Sequence, residues 1–351
     1  MVDRQTDRQT DRQTDRQTDR RYRSVDFLKG VCILFVISTH YPWGDEIRLK
    51  YLCPFWIDMA VPVFMILSGF VASKSFYRHN VDCLEKAYCL QNLYGRMLRY
   101  TIPFGIAFGI EEFLFFWKST GHRFEEIFWL FLRGGQGPGG YYYPCMMQFI
   151  FWFPIIFFLI EKKGRKGLFL CGLINFIFEL LKTAYGMDSG CYRLLIFRYT
   201  LVIGFGCYLA ISEEKASWRQ DILLMGAGIL YIFCFVYRGY TPVIMEYWTG
   251  TSFLACLFIL PVSRKLIYSG SLRCKPLEWL GKASYHIYLT QMVFYIGANS
   301  LYHRIPNRMC QVILNFTICL IGGLLFYKIE TPINRFIENQ IGTWIGKRAL
   351  K

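Results

Sequence analysis

Two ionisable residues bracket an apolar run: Lys29 and His40 in "KGVCILFVISTH". On a helix the steps between them turn through about 1100°, three turns plus about 20°, so both side chains share one face. They stand roughly 16 Å apart along the axis, about half the thickness of a bilayer's hydrocarbon core. An imidazole titrates near neutrality, which suits a general base that takes a proton from a hydroxyl. The simpler alternative for His40 is an interfacial histidine hydrogen-bonded to a neighbour. Lys29 would either grip an anion or extend its ammonium to the interface. Ionisable groups inside apolar segments are costly, and function is the usual reason to keep them.

Other polar groups are expected at matching depths. Asp58 in "PFWIDMAVPVFMILSGF" should lie near the outer end of the second span, close to His40. A carboxylate there would fix the imidazole tautomer and stabilise its protonated form. Glu111 and Glu112, in the outer half of the third span, would do the same or bind substrate. Each of these three is equally readable as an interfacial or structural carboxylate. On the opposite side, Arg96 and Arg99 in "GRMLRYTIP" would hold the phosphates of a soluble donor, or simply mark a cytoplasmic helix end. Tyr141, Tyr142 and Tyr143 in "GPGGYYYP" read as an interfacial aromatic belt, or as a sugar-stacking platform below a Gly-rich loop.

The elements that position these groups follow from composition. The chain has 351 residues, of which 54% are hydrophobic and 19% aromatic, too apolar for a soluble domain of this length. Apolar runs of about 20 residues recur, which is the length of a membrane-crossing helix. The runs are continuous rather than alternating, which excludes a transmembrane β-barrel. We therefore expect an all-α, polytopic membrane protein of about ten spans. They lie near 26–43, 55–76, 99–117, 141–160, 167–184, 193–211, 221–237, 242–261, 283–301 and 309–328.

The net charge of +15 resides in alternate loops, as the positive-inside rule demands, and no basic stripe is interleaved with base-stacking aromatics. Nucleic acid is therefore rejected as a partner, and membrane lipid is expected. Lys and Arg concentrate in the N-terminal tail, Lys74 to Arg99, Lys162 to Lys166, Arg264 to Lys282, and Lys347 to Lys351. This places both termini in the cytoplasm, Lys29 near the inner interface and His40 towards the outer side. The 13 cysteines are scattered, without a CxxC pair, and read as small buried hydrophobes; no metal site is expected. Three segments result: a DRQT-repeat tail at 1–23, a membrane domain at 24–340 and a basic tail at 341–351. The first tail is too long and charged for a cleaved signal peptide, so the first span is expected to be retained.

A series of motifs resembles the acyltransferase-3 family of membrane proteins from Ser24 to about Ile337. "RSVDFLKGVCILFVISTH" matches that family's first span, with its basic residue and histidine. "VPVFMILSGF", "GRMLRYTIP", "YYYPCMMQFIFWFP", "LGKASYHIYLTQM" and "IETPINRFI" follow in the family's order. Gln291 stands where many members carry histidine, so no acid–base role is assigned to it.

The resemblance implies transfer of an acyl group, usually acetyl from acetyl-CoA, to a hydroxyl of a surface or secreted glycan. Such acceptors are capsule, lipopolysaccharide or exopolysaccharide, and the setting is a bacterial inner membrane. Acetyl-CoA is then a donor substrate, with no permanently bound cofactor. On this reading His40 is the base and Asp58 orients it. Lys29, Arg96 and Arg99 hold the donor. Glu111, Glu112, Tyr142, Tyr143 and Gln148 contact the acceptor. A transporter or flippase for a glycan precursor is the alternative, although the halves show no inverted repeat or matched broken helices. A non-enzymatic assembly partner is a third reading. Nothing in the sequence sets an oligomeric state.

The tail repeats DRQT four times, and DRQT is what successive copies of the tetranucleotide GACA encode. Gain or loss of one unit shifts the frame, so the tract is expected to switch expression on and off. Sequencing the gene from many colonies should reveal GACA units in varying number. A constant number, or other codons, would remove the switch.

Overall fold

The computed structural model describes residues 23–117, 121–212, 217–239, 253–269 and 272–349. The DRQT repeats and most of the span expected at 242–261 lie outside them. No strand occurs among the described residues. The helices in order are α1 (23–40), α2 (Asp45–Lys50), α3 (Ala60–Arg78), α4 (Leu84–Tyr88), α5 (Leu90–Trp117), α6 (Phe124–Arg133), α7 (Tyr142–Lys163) and α8 (Arg165–Ala184). There follow α9 (Ser189–Leu194), α10 (Thr200–Ile211), α11 (Trp218–Ile232), α12 (Phe253–Cys256), α13 (Ile259–Ser269), α14 (Lys275–Lys282), α15 (Ser284–Tyr302) and α16 (Arg308–Ala349).

Five helical segments among the described residues are long and apolar enough to cross a membrane: Cys53–Arg78, Tyr142–Lys163, Arg165–Ala184, Trp218–Tyr237 and Arg308–Ile341. This is a membrane protein built from helices. α1, α5 and α15 are absent from the five, although their apolar runs predict a span on each. Their polar content explains the difference. α1 carries Asp26 and Lys29, α5 carries Arg96, Arg99, Glu111 and Glu112, and α15 carries His286 and Gln291. These same helices line the cavities described below, where polar groups have somewhere to point. α16 runs on through Ala349, past the boundary expected at 340.

Between helices in lipid, close packing and hydrogen bonds replace the hydrophobic effect as the source of association. The α3–α10 contact shows how close that packing is. A Cβ added to Gly69 would stand 2.2 Å from the Ile203 carbonyl oxygen, and one on Gly206 would stand 1.9 Å from that of Ile66. Two backbones therefore touch where side chains would hold them apart. Around this seam lies an aromatic core. Phe76 meets Phe153 edge-on at 5.1 Å and Phe157 at 4.9 Å. Phe104 stacks on Tyr143 at 3.8 Å, tying α5 to α7. This packing fixes α3, α5 and α7 around α1 and α15.

The seam yields a stability prediction. Gly206→Ala should overpack α3 against α10 and destabilise the protein by about 1–3 kcal/mol. Thermal unfolding in detergent measures it. An unchanged transition would show that the two helices have room to separate.

Candidate functional site

His40 ends α1 and faces a cavity. Ile33 and Val36 from α1, Phe64 from α3, Tyr142 from α7 and Tyr285 and Tyr288 from α15 line it with the imidazole. Its nearby ring is Tyr295, centroids 6.3 Å apart. Among the described residues neither ring nitrogen of His40 has a hydrogen-bond partner. An accessible, unengaged imidazole in an apolar chamber is what proton abstraction requires.

The Gly-rich loop 134–140 closes over this chamber. Gly139 takes φ +88°, and a Cβ there would stand 3.2 Å from both His40 Nε2 and the Tyr288 ring. An L side chain is strained at that φ and would crowd the imidazole. The Tyr288 hydroxyl donates to the Gly139 carbonyl at 2.7 Å, pinning the loop to α15. The Gln136 amide donates to Glu111 Oε2 at 3.3 Å, pinning it to α5. Glu111 is 1% exposed, so its role in this structure is to hold the loop rather than to sit in open contact with solvent.

The opposite end of α1 opens into a second, polar cavity. Lys29, Asp26, Arg99, Lys282, His286 and Glu330 are among its walls. Phe64, Tyr142, Ser284 and Tyr285 belong to both cavities, so the two abut. The helical geometry expected for Lys29 and His40 is thus matched by space: one face of α1 borders a continuous row of cavities, a cation near one end and an imidazole at the other. The Glu330 carboxylate is 2.7 Å from His286 Nε2 and accepts from Asn334 Nδ2 at 2.8 Å.

Several expected residues stand elsewhere. Asp58 pairs with Arg48 of α2 at 2.5 Å, so its charge is committed there and not to His40. Arg96 lies over the Phe76 ring, 4.6 Å from guanidinium to centroid, while Arg99 alone of the pair lines the polar cavity. Glu112 is held by His122 Nδ1 at 3.0 Å, outside the His40 chamber. Tyr143 is stacked on Phe104, with its hydroxyl 3.3 Å from Thr101 Oγ1, and lines neither cavity; Tyr142 lines both. Gln148 donates to the Leu194 carbonyl at 2.7 Å and accepts from the Ile196 amide at 3.1 Å, bridging the break before α10. Its amide is spent on backbone, a role that only the fold reveals.

The sequence alone does not reveal the His286–Glu330 pair. Both residues lie in motifs already singled out, "LGKASYHIYLTQM" and "IETPINRFI", but 44 positions separate them. The signal was a histidine and a carboxylate in two apolar helices, each needing a partner. Gln291 is fully buried, and among the described residues neither of its amide atoms has a hydrogen-bond partner.

No characterised protein and no solved structure matches the chain. The sequence profile of the acyltransferase domain matches residues 22–328, a stretch that contains the His40 chamber, the loop over it and the part of the polar cavity formed by Asp26, Lys29, Arg99, Lys282 and His286. The chain therefore belongs to the acyltransferase-3 family, and its general function is acyl transfer.

Proposed function

We propose that the protein transfers an acyl group, acetyl from acetyl-CoA, to a hydroxyl of a cell-surface or secreted glycan, with His40 as general base. The observation that carries the reading is the pair of abutting cavities along α1, from Lys29 and Arg99 to His40. Family membership supports acyl transfer over transport. Donor phosphates are matched by Lys29, Arg99 and Lys282 at the polar end. The thin thioester arm passes between Phe64, Tyr142 and Tyr285. The acceptor hydroxyl approaches His40 from beneath the Gly-rich loop. Its oxygen attacks the thioester carbonyl carbon as His40 takes its proton. The C–S bond then breaks, and the departing thiolate receives the proton from the imidazolium. The products are an O-acyl sugar and free CoA thiol. On this reading both termini lie in the cytoplasm of a bacterial cell, the helices cross its inner membrane, and the DRQT tract controls expression of a surface-altering enzyme.

Mass spectrometry of surface glycans should show an acetyl-sized mass in cells carrying the wild type and its loss with His40→Ala at matched membrane abundance. In the purified protein His40→Ala should lower kcat by about 10²–10⁴. Equal acetylation in both strains would remove His40 from the reaction. Arg99→Ala should raise the KM for acetyl-CoA at least several-fold, with acceptor KM unchanged; the reverse split would exchange the two ends. Gly139→Ala should cost the fold about 1–2 kcal/mol, and it should lower transfer far more than thermal stability. A fully active Gly139→Ala enzyme would show that the loop does not sit over the reacting atoms.

A further inference from the structure

A second polar groove lies at the His40 end of the molecule, on α6. His122, Glu126, Trp129, Leu130 and Arg133 line it. Positions 126, 129, 130 and 133 share one face of the helix by their spacing. Trp129 is 58% exposed and stands between an acid and a base, each about one turn away.

α6 also carries an apolar stripe, and Trp129 is not on it. Phe124, Phe128 and Leu132 follow at intervals of four and are 85%, 54% and 46% exposed. That row is the natural lipid-facing edge of an interfacial helix. Trp129 lies about 100° around the helix from the centre of the stripe. Its ring meets that of Phe128 edge-on, centroids 5.8 Å apart, so the indole stands at the border of the stripe; with Glu126 and Arg133 on its other side it is suited to a polar ligand with an apolar face. A sugar ring is such a ligand: its C–H face stacks on the indole, and its hydroxyls meet the charged groups.

The groove is coupled to the reacting end. His122 Nδ1 is 3.0 Å from Glu112 on α5, and the Gln136 side-chain amide is 3.2 Å from His122 Nε2. Gln136 belongs to the loop that Glu111 anchors and that places Gly139 against His40. From Arg133 to Gly139 the chain advances six residues, at most about 20 Å. An oligosaccharide lying in the groove spans that distance with a few rings.

We propose that this groove is the docking subsite for the acceptor glycan, with Trp129 as the stacking surface and, as hydroxyl partners, Arg133 and the carboxylate oxygen of Glu126 that the Arg123 amide does not take. The assignment rests on the glycan-acylation reading above. The Glu112–His122–Gln136 chain then ties the bound sugar's position to the loop over His40.

The test uses the full-length protein in lipid nanodiscs, acetyl-CoA as donor and mildly alkali-deacetylated polysaccharide from the source cells as acceptor. Trp129→Ala should raise the polysaccharide KM at least tenfold, with the acetyl-CoA KM unchanged. Trp129→Phe, which keeps a stacking ring, should recover most of that loss. Phe124→Ala, on the lipid stripe, should leave the polysaccharide KM as in the wild type. If Trp129→Ala is poorly folded, Arg133→Gln serves in its place and should raise the same KM several-fold. A wild-type polysaccharide KM in folded Trp129→Ala, or an equal loss in Phe124→Ala, overturns the subsite while leaving acylation by His40 standing. A wild type that transfers nothing to the polysaccharide overturns both.

Discussion

A lysine and an imidazole on one face of an apolar helix must each reach something polar, and the arrangement around α1 answers that constraint. Leaving either group against hydrocarbon would cost several kcal/mol, so the fold must give each one open space, at two separate depths. It does so with two abutting cavities that share Phe64, Tyr142, Ser284 and Tyr285. The helices that build the walls, α5 and α15, are the ones that carry ionisable or amide groups of their own. Behind them α3 and α10 are held in backbone contact at Gly69 and Gly206, and α3 adds Phe64 to both cavities.

Loop chemistry completes what the helices begin. Five glycines among the seven residues 134–140 would be a weak element in isolation, since glycine loses the most freedom on ordering. Here the Tyr288 hydroxyl and the Glu111 carboxylate each fix one backbone group of that loop. The absence of a side chain at Gly139 leaves His40 Nε2 uncovered. A buried carboxylate is thus tied to loop placement, and the imidazole is left without a hydrogen-bond partner among the described residues, able to meet a substrate hydroxyl.

Much of this was legible in the sequence, for reasons of periodicity. The Lys29–His40 spacing fixes a shared helix face whatever the surroundings, and apolar run length fixes an all-α membrane fold. Arg99, Tyr142 and Glu111 stand out in the sequence because ionisable and aromatic residues beside apolar runs are conspicuous, and the structure places the first two on the cavity walls and the third under the loop. What remained hidden depends on partners distant in sequence or on loop geometry. Asp58 sits at the expected height, yet Arg48 of the short α2 captures it, and no span-by-span reading shows that α2 folds back. Gln148 carries a polar amide into an apolar helix, as a ligand-binding residue would, but a broken backbone segment uses both of its atoms. His286 and Glu330 meet only because α15 and α16 pack side by side. The expectation of ten spans rested on run length alone, whereas cavity-lining helices dilute their apolarity with the groups that make them useful.

The central claim is that one path along α1 joins a donor end at Lys29 and Arg99 to a reacting end at His40. Cryo-electron microscopy of the protein with a non-transferable acetyl-CoA analogue, its thioester sulfur replaced by a methylene, tests this directly. Nucleotide density is expected against Lys29 and Arg99, with an arm passing Tyr142 and Tyr285 and the acyl carbonyl within reach of His40 Nε2. Nucleotide bound beside the Gly-rich loop, or an arm that leaves the core without approaching His40, would contradict it.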